Sequence, residues 1–166
     1  MSDARAPKDS AVEMNHIVLP GEANSLGAAF GGHVMSWIDM TGAIAAQRHS
    51  RMTSVTASMD ELHFHAPIRV GWVAVLHARV LAAFKTSMEV GVTVHAENPR
   101  TGERNLTTSA LITFVALDDK GARGQVPPLR LDTDEERAAE KAAHARRQVR
   151  LGRKGADGDW VKLVGR

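Results

Sequence analysis

The 166-residue chain has no cysteine, so it forms no disulfide and offers no thiol nucleophile. That absence fits a reducing compartment. No apolar run approaches the ~20 residues needed to span a bilayer. The polar start "MSDARAPKDSAVE" lacks the apolar core of a signal peptide. Together these features predict a soluble, cytoplasmic protein. An excess of one charge sign is also missing. The formal net charge is +2, and no basic stretch is interleaved with aromatics, so the footprint of a nucleic-acid binder is missing. There is no internal repeat. The eight histidines raise a metal reading, with His63 and His65 two apart and Asp60 and Glu61 nearby. Without cysteine or a His-x-x-x-His helix the set is incomplete, and no metal is expected.

What is present is ordinary globular composition, 43% hydrophobic and 24% charged, at a length that favours one domain. Residues 1–11 read as a flexible arm. Glu13–Pro20 has strand character and ends at a Pro-Gly turn. From His33 to about His49 the pattern is helical, with Val34, Trp37, Ile38, Thr41 and Ala45 along one side. Strands are predicted over Ser54–Phe64, Trp72–Phe84, Ser87–Glu97 and Arg104–Leu117. Met88, Val90, Val92 and Val94 give the third of these a clear period of two. The domain then covers 12–130. A C-terminal helix is expected over 131–151, opened by the capping box of Thr133 and Glu136 and closed by Arg146, Arg147 and Arg150. Residues 152–166 read as a flexible tail. One long helix beside an antiparallel sheet is an α+β layout. Gly42, Ala43, Ala45 and Ala46 let the sheet come close to the helix.

Asp39 stands out within this apolar helix. Its neighbours three and four residues away are Met35, Ser36, Gly42 and Ala43, so no local ion pair is available. An unpaired buried carboxylate is costly. Asp39 therefore faces solvent, is a core acid bonded to backbone, or belongs to a site. Gly31 and Gly32 precede the helix, where N–H groups attract negative charge and glycine permits close approach. Asn24 adds an amide upstream. Backbone donors, an amide and a carboxylate near one helix end have the makings of a site for a carbonyl and a water.

The segments "LPGEANSLGAAFGGHVMSWIDMTGAIAAQRH", "VTASMDELHFHAPIRVG", "FKTSMEVGVTVHAE", "TFVALDDKG" and "VPPLRLDTDEER" resemble the hotdog-fold acyl-CoA thioesterases, in particular the brain-type and YciA-like acyl-CoA hydrolases. The resemblance runs from Met14 to Arg147 in the family's order. It implies a long helix wrapped by a curved antiparallel sheet, paired into a double-hotdog dimer and assembled as a trimer of dimers, a homohexamer. It implies active sites shared between chains, with Asp39 as catalytic carboxylate and Asn24 as the loop asparagine. Trp72 departs from the family, which often has a small or acidic residue there.

The activity so implied is hydrolysis of fatty acyl-CoA to fatty acid and CoA, without a cofactor beyond the CoA of the substrate. Asp39 acts as base or nucleophile, Asn24 positions water or carbonyl, and the Gly32 N–H stabilises the oxyanion. Gly31, His65, and Lys85, Thr86 and Ser87 of "FKTS" are expected near substrate. Arg146 and Arg147 are candidates for CoA phosphates. The partners expected are acyl-CoA and further copies of the chain, with no nucleic acid and no membrane insertion. Two alternatives stay open, a non-catalytic acyl-CoA sensor and a hotdog hydratase or dehydratase. Neither the dehydratase motif nor a helix-turn-helix is evident in the sequence.

Overall fold

The computed structural model describes residues 4–153. Five strands, β1 (Val12–Ile17), β2 (Thr53–Phe64), β3 (Val73–Ala83), β4 (Ser87–Glu97) and β5 (Arg104–Leu117), form one antiparallel sheet in the order β1-β3-β4-β5-β2. Helix α1 (Gly31–Ser50) lies against one face of the sheet, and α2 (Asp134–Arg153) packs beside β3 on the other side. The result is the wrapped-helix layout that the resemblance implies. No helix among the described residues is long and apolar enough to cross a membrane.

Side-chain alternation builds the core. Met88, Val90, Val92 and Val94 are all buried, as the period of two predicts, and share a cluster with Ile112 and Phe114 of β5. From α1, Val34, Trp37, Ile38, Thr41 and Ala45 complete it. Burying a side chain such as Ile38 or Phe114 contributes about 1.5–3 kcal/mol. Small residues on α1 set the spacing between layers. A Cβ on Gly42 would meet the Phe114 ring at 3.0 Å, so a larger residue there would push helix and sheet apart.

The N-terminal segment departs from the expectation of a flexible arm. Pro7–Ser10 forms a 3-10 turn, and Ala6, Pro7 and Ser10 are buried. The Arg5 N–H donates to Pro128 O at 3.1 Å, and Arg130 N–H returns a bond to Arg5 O at 2.9 Å. The Ser10 hydroxyl donates to Pro7 O and accepts from Val80 N–H. Polar composition hid a segment that is ordered through its backbone and one hydroxyl. Residues 1–3 of the arm lie outside the described residues.

Helix α2 opens on the capping box read from the sequence. Thr133 Oγ1 accepts the Glu136 N–H, and the Glu136 carboxylate accepts the Thr133 N–H. It starts later than 131 and carries Gly152 and Arg153 inside its last turn. A terminal glycine costs a helix only about 1 kcal/mol. The tail predicted over 152–166 lies otherwise outside the described residues.

Candidate active site

Asp39 lies in the middle of α1, half-buried. Among the described residues its one side-chain partner is Thr56 of β2, whose hydroxyl donates to Oδ1 at 2.5 Å. Among the described residues the carboxylate is therefore neither fully solvated nor ion-paired. One oxygen is fixed, and the other has no described partner. Thr56 was missed in the sequence, where it is one more threonine in a strand. The signal that finds it is the sheet order, which makes β2 an edge strand alongside the helix.

The loop before α1 is organised around Asn24. Its Oδ1 accepts the N–H groups of Leu26 at 2.9 Å and Ala28 at 3.2 Å. This side chain mimics a backbone turn, and Gly27, at φ +73°, completes it. Because the oxygen is occupied, the amide NH2 keeps its donors for another molecule. Further bonds tie the loop down, from Ala29 N–H to Ile68 O and from Phe30 N–H to Glu22 O. Glu22 is itself fixed, since the Leu19 N–H and then the His16 ring hold its carboxyl below the usual range.

Helix α1 begins at Gly31 after Phe30, with no side-chain cap. Among the described residues the N–H groups of Gly31 and Gly32 have no acceptor, and they sit at the positive end of the helix dipole. A Cβ on Gly31 would lie 3.6 Å from the Phe64 ring. Phe30 and Phe64 are both more than half exposed beside these donors.

Within one chain, Gly32 and Asp39 stand well apart on α1. An α-helix rises about 1.5 Å per residue, which places Asp39 about 10 Å beyond Gly32 along the axis. An oxyanion donor and an attacking group must reach one carbonyl, whose atoms are about 1.2 Å apart. Exposed Met35, Met40 and Ile44 on α1 and Val55 on β2 leave an apolar surface on these same two elements. A groove of about 590 Å³ lies elsewhere, over the sheet face away from α1, and touches neither Asp39 nor Asn24.

The other predicted residues fall into separate places. Lys85 and Thr86 lie in the turn between β3 and β4 and Ser87 opens β4, with the Lys85 and Thr86 carbonyls taken by Val126 and Ala116 N–H groups. The structure brings Arg147 to this turn, its guanidinium 4.7 Å over the Phe84 ring. His65, just past β2, bonds Ser109 through Nε2 at 3.0 Å. Arg146 has a partner the sequence did not foresee. It forks onto the fully buried Glu89 carboxylate, with Nη2 to Oε1 at 2.5 Å and Nε within reach of both oxygens. That hydrogen-bonded pairing raises the Arg146 pKa further. Among the described residues no three His, Asp or Glu side chains converge as metal ligands would.

The thioesterase superfamily model matches residues 26–103. An uncharacterized acyl-CoA thioester hydrolase of Bacillus subtilis is 39% identical over 152 residues, covering 92% of this chain and 88% of that protein. The acetyl-coenzyme A thioesterase of Rattus norvegicus is 34% identical over 140 residues, and the chain spans only a quarter of its length. Among solved structures, the acyl-CoA hydrolase of Bacillus cereus superimposes with a TM-score of 0.89 at 34% identity, covering 97% of this chain and 98% of that one. That of Staphylococcus aureus, solved with butyryl coenzyme A and coenzyme A, gives 0.87 at 30% identity, covering 98% and 99%. Variants of the latter have been solved in which an asparagine, an aspartate or a threonine is replaced by alanine. Their order and intervals match Asn24, Asp39 and Thr56 here.

Proposed function

Since the chain belongs to the acyl-CoA thioester hydrolases of the thioesterase superfamily, we propose that it hydrolyses acyl-CoA thioesters to a free acid and CoA. The observation that carries this reading is the state of Asp39. It is a half-buried carboxylate oriented by one hydroxyl, with an oxygen left over, on an apolar exposed surface.

Two copies of the chain complete the site. Asp39 and Thr56 come from one protomer, and Asn24 with the N–H of Gly32 from its partner. The separation along α1 supports this division, as does the exposed apolar surface around it. The open edge of β2 supplies the pairing surface for a continuous double sheet. Three such dimers form a hexamer, the assembly of a solved thioesterase 38% identical to this chain.

In the reaction, water adds to the thioester carbonyl while its proton passes to Asp39. The carbonyl oxygen, gaining charge, is met by the Gly32 N–H and the Asn24 amide. Collapse breaks the carbon–sulfur bond, and CoA leaves as a thiolate that takes up the proton. Direct attack by Asp39 through an anhydride is the variant of this scheme. One oxyanion donor is worth about 3–4 kcal/mol in the transition state. CoA phosphates are met at the turn that carries Lys85, where Arg147 lies over the neighbouring Phe84 ring, beside Thr86 and Ser87. Arg146, already bound to Glu89, is left to the fold. His65 borders the same substrate path.

The test is thiol release from a panel of acyl-CoA chain lengths. The wild-type chain is expected to turn over several members, and Asp39→Asn to lose about a thousandfold in kcat. Unchanged turnover in Asp39→Asn would sink the mechanism. Binding of acyl-CoA without any turnover would replace the enzyme by a sensor.

A further inference from the structure

Strand β2 is irregular at an informative place. Strict alternation starting from Thr56 would put Ser58, Asp60 and Leu62 all on the face toward α1. The pairing with β5 instead shifts twice, between Thr56 and Ser58 and between Met59 and Glu61. The first bulge turns Met59 inward, opposite Ile112, where it packs on the core. The second restores Leu62 to the inner face, opposite Ala110. Asp60 is the extra residue of the second bulge.

The Asp60 carboxylate is a knot. Arg150 of α2 donates to Oδ2 at 2.5 Å, Thr113 of β5 donates to the same oxygen at 3.4 Å, and Ser58 donates to Oδ1 at 3.2 Å. Only 18% of the Arg150 side chain and 21% of the Asp60 side chain remain exposed. A bulge breaks ladder bonds and rotates the strand locally, so its geometry depends on what holds it. Here it is held from the outer face of the sheet by α2. Its near end is Thr56, the residue that fixes Asp39 on the inner face.

We propose that Asp60 and Arg150 are a positioning pair for the Thr56–Asp39 hydrogen bond. They pin the double bulge and so fix the rotation of β2 on which Thr56 stands. This rests on the reading of Asp39 given above. It gives α2 a part in turnover although it touches neither water nor thioester.

The experiment is steady-state kinetics of the full chain on butyryl-CoA, with Thr56→Val, Arg150→Gln, Arg150→Lys and the double variant Thr56→Val/Arg150→Gln. Arg150→Gln is expected to lower kcat about tenfold with KM nearly unchanged, as for a misplaced catalytic group. Arg150→Lys should recover most of that loss. In the Thr56→Val background Arg150→Gln should cost less than about twofold, because the bond it positions is already gone. Equal losses in both backgrounds would overturn the proposal, as would a lowered melting temperature with kcat intact. If Asp39→Asn is inactive yet Arg150→Gln and Thr56→Val multiply, the positioning pair alone fails. If Asp39→Asn turns over like wild type, the underlying reading fails first.

Discussion

Two carboxylates on opposite sides of the same sheet show two ways of keeping an acid out of bulk water. Glu89 on β4 is fully buried and gripped by the Arg146 fork, so its charge and lone pairs are answered by one rigid partner. Asp39 on α1 is half-buried and meets a single hydroxyl. The first arrangement leaves nothing for chemistry and fastens α2 to the sheet. The second leaves an oxygen able to take a proton or attack. Sequence context does not separate them, since each is an acid flanked by apolar residues. The partner decides, a guanidinium in one case and a threonine in the other.

The comparison is broken most severely by removing each acid's role in turn. Asp39→Asn should lose about a thousandfold in kcat, with the unfolding midpoint unchanged or raised, because active-site groups are commonly held at some cost to stability. Thiol-release assays beside thermal melts check both halves. Arg146→Met should do the reverse, costing about 3–5 kcal/mol of stability by leaving a buried charge unanswered. Pairing it with Glu89→Leu should recover much of that loss in denaturant unfolding. Thr56→Val should lower kcat about tenfold, the scale of one hydrogen bond to a charged group. If it lowers stability as much as Arg146→Met, the two carboxylates are alike after all.

The smallest effect concerns a third buried ionisable group. His49, at the end of α1, donates through Nε2 to Pro127 O at 2.8 Å, while Nδ1 is buried without a partner. Burial, the main cause, and the nearby Arg5 charge push its pKa below the ordinary value of about 6.5. Folding thus favours neutral imidazole. Its contribution is intact above about pH 6.5 and declines as pH falls toward the folded value, because the unfolded chain takes up the proton first. His49→Gln should flatten part of that decline in melts between pH 7 and 5 (chosen to bracket the ordinary value of about 6.5). The remainder belongs in part to His95, also pushed down by burial.

Much of the architecture was legible because periodicity reports burial directly. Ser87–Glu97 and Arg104–Leu117 fall where the alternation puts them, and α1 extends the predicted helix by only a few residues. Thr133 and Glu136 announced the start of α2 because a capping box is local. The buried N-terminal segment was not legible, since Ser10 earns its place through Val80, far along the chain. Nor were Thr56 and the pairing of Arg146 with Glu89. Each joins residues brought together only by the sheet order, and a strand read alone gives Glu89 as an outward, solvated position. At the candidate site Asp39, Asn24 and the two glycines could be picked out by their oddity. Their proposed division between chains comes from the resemblance and not from any single residue, because distance along a helix matters only once a common target is named.

The double bulge of β2 has an evolutionary corollary. Each extra residue is absorbed by its own bulge, so Thr56 and Leu62 face the same side, opposite Phe114 and Ala110. Loss of Ala57 or Asp60 alone would remove one bulge and leave Thr56 opposite Phe114 and Leu62 opposite Ala110, both still facing inward. Related chains are therefore expected to vary in length across this strand one residue at a time, and a deletion at Ala57 should cost less stability than one at Met59, which pairs with core Ile112.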